Sequence, residues 1–309
     1  MRRIKITRLG EGVSARGLIR PTAAVRTASA VNSFVRLATA KGVPSPIIVG
    51  THALRVVRNR DALLGRLRVP VRILSGEEEA RLGYEGVLAG IEPLRVAVQI
   101  LVVDIGGGSV ELTWGSSRGI EAARSLPVGA VAMTERFLAH EPPLATEVAA
   151  LRAALTRRLN PALAPLTGRP LQIVGIGGTI TTLAAIEQRL SPYDPDRIHG
   201  YRLTRTAVDA ITSRLLVKTV SDRRRVAGLQ PERADIIVAG ALVLQHLMSA
   251  LKCRQLIVSE ADLLWGLMLE SARGMNPQMP VSHGHADALN SSPSTARRID
   301  RARQAGHVV

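Results

Sequence analysis

The residues of this 309-residue chain with the plainest chemical potential lie between Asp104 and Glu111. Ile100 to Val103 is an unbroken apolar run, which predicts a buried strand, and Asp104 stands at its end where the chain must turn. Gly106, Gly107 and Gly108 permit positive φ and close approach, so successive backbone N–H groups can face a phosphate with no Cβ in the way. Ser109 adds a hydroxyl donor. Beyond the turn, Val110, Leu112 and Trp114 alternate with Glu111 and Thr113, so the chain re-enters a strand. This excludes the P-loop and the dinucleotide fingerprint, both of which open a helix. What remains is a hairpin phosphate loop with two carboxylates at its mouth. Mg²⁺, or another divalent cation, suits such a site because it keeps several waters and uses few protein ligands beside phosphate. The competing reading is a hairpin whose glycines serve only the turn, for which three in a row are excessive.

Three further segments invite a chemical reading. Gly175-Ile-Gly-Gly-Thr179 joins a strand to a helix, where Gly177, Gly178 and Thr179 could offer N–H groups to an anion or could simply form a tight junction. In the triplet Glu77-Glu78-Glu79, Ser75 with Glu78 fits a capping box and Glu77 precedes Arg81 by four residues. Glu79 has no such local explanation, and its stripe continues through Gly83 and Gly86, which predicts open space beside it. It is a candidate to orient or deprotonate a water; three solvated first-turn acids are the alternative. Arg55, following a strand end, is a candidate phosphate clamp. His52 and His199 read as structural, and the His283-Gly-His285 pair has no assigned role.

These groups need a scaffold, and short apolar runs alternating with helical periodicity predict an α/β fold. Expected strands are Ile4 to Arg8, Pro46 to Val49, Val69 to Leu74, Ala97 to Val103, Val110 to Trp114, Ile120 to Leu126, Leu171 to Val174 and Gln255 to Val258. The length allows two domains, 1–97 and 98–275, with the last helix free to return to the first, and 276–309 reads as a disordered tail. Hydrophobic residues make up 46% of the chain but aromatics only 2%, so the core must be built from Ala, Val, Leu and Ile. The single Cys253 excludes an internal disulfide, no run is long enough to span a membrane, and a cytoplasmic protein is expected. The net charge of +16 sits mostly in the N-terminal third and would attract a polyanion.

The two halves also look like related units. The second opens with a hairpin and a third strand, whereas the first opens at the equivalent of that third strand, so the first unit is expected to lack its opening hairpin.

Taken in order, Thr51-His-Ala-Leu-Arg55, Ser75-Gly-Glu-Glu-Glu-Ala-Arg81, Asp104-Ile-Gly-Gly-Gly-Ser-Val-Glu111, Gly175-Ile-Gly-Gly-Thr179, His199-Gly-Tyr-Arg-Leu203, Glu232-Arg-Ala-Asp235 and Val258-Ser-Glu260 resemble the motifs of the exopolyphosphatase and guanosine pentaphosphate phosphohydrolase family. The resemblance implies two actin-like (ribonuclease H-like) domains with a cleft between them. It implies that Glu79 activates the water, that Asp104 and Glu111 hold Mg²⁺, and that Arg55 with the 106–109 loop binds phosphates. The implied substrate is a polyanion, either inorganic polyphosphate or guanosine pentaphosphate. Nucleic acid and membrane are disfavoured as partners, and a homodimer is allowed. The family's first phosphate loop, Asp-x-Gly-Ser/Thr-Asn-Ser, has no counterpart here, which leaves a non-catalytic polyanion-binding protein as the alternative and an actin-like kinase behind it.

Overall fold

Residues 3–43, 45–91 and 99–275 are described by the computed structural model of the chain. Two compact units divide it: Met1–Ser75 together with Ala272–Val309, and Gly76–Ser271. The boundary expected near residue 97, the tail from 276 onward and the His283-Gly-His285 pair lie outside the described residues.

The first unit contains α1 (Val13–Arg16), α2 (Pro21–Ala40), β1 (Val49–Gly50), α3 (His52–Val56), α4 (Asp61–Leu64) and β2 (Arg72–Ile73). Pro21 opens α2 at its first position, where the missing N–H is not needed. The buried face of α2 is small, with Ala23, Ala24, Thr27, Ala28 and Ala38, which lets Ile19, Leu54 and Leu63 pack close against it. β1 and β2 pair in parallel. The strand expected over Ile4 to Arg8 does not form. Arg8 instead takes φ 55 and its carbonyl closes a turn with the Glu11 N–H at 3.1 Å. An extended segment with no neighbouring strand has no ladder to satisfy its backbone, so a turn wins.

The second unit runs α5 (Gly76–Gly90), β3 (Gln99–Ile105), β4 (Val110–Ser116), β5 (Gly119–Leu126), α6 (Ala130–Phe137), α7 (Ala145–Leu163), β6 (Leu171–Ile176), α8 (Gly177–Glu187), α9 (Pro195–Ile198), β7 (Arg202–Thr204), α10 (Arg205–Leu216), α11 (Val220–Arg223), α12 (Ile237–Ala250), β8 (Gln255–Val258) and α13 (Leu263–Met275) as far as Ser271, where the division falls within that helix. Its six-stranded sheet has the order β5-β4-β3-β6-β8-β7, with β3, β6 and β8 parallel. The two-residue period of β3 sends Leu101, Val103 and Ile105 into the large core beneath α6, α8 and α12, and Ile100 and Val102 into a smaller one where α5 supplies Tyr84 and Val87. For this reason α5 groups with the second unit. No helix among the described residues is long and apolar enough to cross a membrane.

Candidate active site

Strand periodicity places the two carboxylates. Asp104 follows Ile100 and Val102 on the α5 face of β3, and Glu111 and Thr113 occupy the same face of β4, because Val110, Leu112 and Trp114 are taken by the core on the other side. Asp104 and Glu111 are direct cross-strand partners in the antiparallel register. The carboxylate of Glu111 is buried and accepts a hydrogen bond from the Ser125 hydroxyl at 2.8 Å. From α5, Glu79, Gly83 and Tyr84 complete a pocket with Asp104, Glu111, Thr113 and Ile176, and the Tyr84 hydroxyl donates to the Ser116 carbonyl at 3.1 Å.

The electrostatics of this pocket are one-sided. Burial, followed by the fields of Glu111, Asp262 and Glu79, pushes the Asp104 carboxyl well above the usual carboxylate range. Such repulsion is relieved either by a proton or by a cation. Among the described residues no group of three or more His, Cys, Asp or Glu side chains is arranged as a metal cage. Asp104 and Glu111 are two carboxylates on one face of the sheet, the kind of donor set an ion such as Mg²⁺ takes when water and phosphate fill its remaining positions.

The 106–109 loop is shaped by α6. The N–H groups of Gly129, Ala130 and Val131 donate to the carbonyls of Gly108, Gly106 and Gly107 at 3.2, 2.9 and 2.8 Å. With those carbonyls turned toward α6, the N–H groups of Gly107, Gly108 and Ser109 donate to no backbone carbonyl among the described residues. None of Gly106, Gly107 and Gly108 takes a positive φ, so these glycines serve the close approach to α6 rather than an unusual backbone conformation. The approach is close enough that a Cβ on Gly129 would lie 2.5 Å from the backbone of Gly107 and Gly108. Ser109 itself is buried.

The second turn is organised differently. Gly177 opens α8 with φ +85, and a Cβ there would lie 2.2 Å from Asp104 Oδ1. Gly178 is covered by the Arg233 guanidinium, whose Nη1 would be 1.6 Å from an added Cβ. Thr179 is buried with its side chain against Gly240 of α12. Arg233 donates from Nε to Gln230 at 2.8 Å; burial lowers its proton affinity, against the raising fields of Tyr193, Glu260 and Glu232. Sequence reasoning gave Arg233 and Asp262 no role. Both lie within quoted motifs or just beyond them, and that adjacency was the available signal.

Two local expectations are corrected. Gly86 does not border open space: a Cβ would meet the Asp262 carbonyl at 2.1 Å, so the glycine admits the chain entering α13. Gly83 does line the pocket. Arg81 pairs with Glu85 at 3.1 Å and Glu270 at 2.7 Å rather than with Glu77, because both of these carboxylates are within reach and half-buried beside it. Arg55 belongs to the first unit, on α3, where its Nη1 donates to the Leu74 carbonyl at 2.9 Å.

Residues 1–273 match the Ppx/GppA phosphatase family. Exopolyphosphatase 2 of Mycobacterium tuberculosis is 35% identical over 288 residues, covering 88% of each chain. Exopolyphosphatase 1 of Mycobacterium leprae is 33% identical over 272 residues, covering 85% of this chain and 78% of its own. Among solved structures, an exopolyphosphatase-like protein superposes with TM-score 0.82 at 28% identity, covering 89% of this chain and 92% of its own. An Aquifex aeolicus Ppx/GppA family member superposes with TM-score 0.72 at 29% identity over 88% of each chain. On this fold of two actin-like α/β units and this extent of sequence agreement, the chain belongs to the Ppx/GppA phosphatase family.

Proposed function

We propose that this chain hydrolyses the terminal phosphoanhydride bond of inorganic polyphosphate with the help of a divalent cation, Mg²⁺ foremost. The observation that carries the reading is Asp104 paired across the strands with Glu111 in a pocket that Glu79 also lines, beside a loop in which the Gly107, Gly108 and Ser109 N–H groups meet no backbone carbonyl among the described residues. One side of the site calls for positive charge and the other for an anion. A metal–phosphate pair satisfies both. The names of the relatives, exopolyphosphatases 1 and 2, support polyphosphate as the substrate class.

Asp104 and Glu111 would hold the cation, which would neutralise charge on the phosphate oxygens. Gly107, Gly108 and Ser109 donate to the terminal phosphoryl group, and Gly177 and Gly178 at the α8 N-terminus add positive partial charge. Glu79 orients a water and takes its proton as the water oxygen bonds to the terminal phosphorus. The bridging P–O bond breaks and the shortened chain leaves as an anion.

Phosphate release from long-chain polyphosphate with Mg²⁺ tests this directly. Glu79→Gln is expected to lower kcat by about 10²–10⁴-fold, the usual contribution of a positioned base, with polyphosphate binding retained. Absence of release by the unaltered chain across a series of divalent cations would overturn the reading. Faster release from guanosine pentaphosphate would move the substrate to that nucleotide.

A further inference from the structure

The positive charge of this protein is confined to one of its two units. Residues 1–75 carry 15 Lys and Arg beside only two acids, Glu11 and Asp61, whereas residues 76–271 carry 21 basic and 21 acidic side chains. A general preference for arginine would enrich both units alike. The second unit balances every base with an acid, and the first leaves its bases unbalanced. Those bases are at the surface: Arg16, Arg26, Arg36, Arg58, Arg66 and Arg68 are all exposed.

Contacts within the first unit gather them along α2. Asn59 donates to the Ile19 carbonyl at 3.0 Å and accepts from the Ile19 N–H at 2.8 Å, fixing residues 58–60 against the segment that enters the helix. Arg58 donates to the Arg16 carbonyl at 3.2 Å, so these two arginines lie side by side. Further along, Asn32 binds the Arg66 carbonyl at 2.9 Å and the Arg68 N–H at 3.3 Å, which brings that turn onto the middle of α2. From Arg20 to Asn32 the helix rises by about 18 Å at 1.5 Å per residue. Glu11 is shared between Arg20 at 2.7 Å and Arg26 at 3.3 Å, so it neutralises only part of that end.

We propose that this face of the first unit, α2 with the turns at 58–60 and 66–68, is a docking track for the repeating anionic chain of long polyphosphate, in addition to the groups that act on its terminal phosphate. The inference rests on the polyphosphate reading given above. Single-stranded nucleic acid is the other polyanion that could use such a face, but its readers interleave aromatic rings on which bases stack. Residues 1–75 contain one aromatic, Phe34, and it is half-buried. A surface of guanidinium groups without rings fits a chain of phosphates without bases.

The test is equilibrium binding by the full chain, with triphosphate and long-chain polyphosphate as separate probes, over a salt series. Replacing Arg26, Arg36, Arg66 and Arg68 together by Gln is expected to weaken long-chain binding about tenfold or more at low salt. The same change should lower the slope of log affinity against log salt by about 3. Triphosphate binding should change less than about twofold, and the corresponding four-Lys variant should keep both the slope and the affinity within about threefold. Replacing Arg118, Arg157, Arg214 and Arg224 of the second unit by Gln removes the same charge and is expected to leave long-chain binding nearly unchanged. Equal weakening by the two Gln sets, parallel loss of triphosphate binding, or equal competition by single-stranded RNA at matched phosphate concentration would each overturn the proposal. Binding without phosphate release by the unaltered chain would instead defeat the hydrolase reading and leave the track standing.

Discussion

The two glycine-rich turns of the second unit are written almost alike, and their glycines are there for different reasons. Asp104-Ile-Gly-Gly-Gly-Ser109 follows β3, and Gly175-Ile-Gly-Gly-Thr179 ends the adjacent parallel β6, with Asp104 opposite Ile176 in the register. In the first turn, small residues bring the loop carbonyls onto the N-terminus of α6 and leave the 107–109 N–H groups without a backbone acceptor among the described residues. In the second, they make room for side chains from elsewhere, the Asp104 carboxylate against Gly177 and the Arg233 guanidinium over Gly178. A glycine run in a sequence therefore marks where something approaches the backbone. Only the fold says whether it is a ligand or the protein's own charge.

The comparison is broken most severely at Gly177. A Cβ there would meet Asp104 Oδ1 at 2.2 Å, and φ +85 adds about 1–3 kcal/mol of backbone strain for a non-glycine residue. Asp104 must swing away from its place beside Glu111. Gly177→Ala is expected to lower kcat/KM by about 10²-fold or more, the scale associated with an ångström of misplacement, and to raise the Mg²⁺ concentration needed for half-maximal rate. An unchanged Mg²⁺ requirement, measured by titrating the variant with the cation, would separate the second turn from the carboxylate pair.

A second, smaller effect concerns stability. Because the folded protein raises the Asp104 proton affinity above the ordinary value, the metal-free fold loses stability as pH rises through the interval between the two values. Above that interval the loss is complete, and there the carboxylate works against folding unless a cation offsets it. Asp104→Asn keeps the shape and removes the charge. It is expected to raise the Tm of the metal-free protein, by about 2–4 °C for each kcal/mol of repulsion relieved, while abolishing the stabilisation that Mg²⁺ gives. A Tm unchanged or lowered in thermal melts without metal would mean that the neighbouring carboxylates are already screened.

Much of this site was legible in the sequence because its positions follow from local periods. The alternation in Val110 to Trp114 forced Glu111 onto the face opposite the core, and the end of the Ile100–Val103 run fixed Asp104. Eliminating the capping and pairing roles of its neighbours singled out Glu79, although the pairing assumed for Glu77 proved wrong. What escaped depends on contacts distant in sequence. Arg233 reaches Gly178 across 55 positions with no periodic signal, Asp262 enters the field of Asp104 from the far end of the unit, and Gly86 serves the Asp262 backbone that no local pattern could place beside it. Short edge elements fared worst. β7 is three residues long and was missed, and Ile4 to Arg8 has strand-like composition but no strand to pair with.

The smallest expected effect sharpens the contrast at its finest point. Gly178 and Gly177 are neighbours, yet an alanine at Gly178 meets the far end of a flexible side chain, the Arg233 guanidinium, rather than a carboxylate fixed at the end of a strand. That guanidinium can move aside, and alanine in the first turn of α8 gains up to about 1 kcal/mol of helix propensity over glycine. Stability should therefore change by less than about 1 kcal/mol. If Arg233 faces the substrate from its place over the turn, Gly178→Ala should raise KM about tenfold, the value of one charge-assisted hydrogen bond, with kcat nearly constant. Arg233→Ala should then give the same KM, and the double variant no further increase, because both changes remove one contact. Additive effects in that double-mutant cycle would show that Gly178 acts through its own N–H, and the second turn would resemble the first after all.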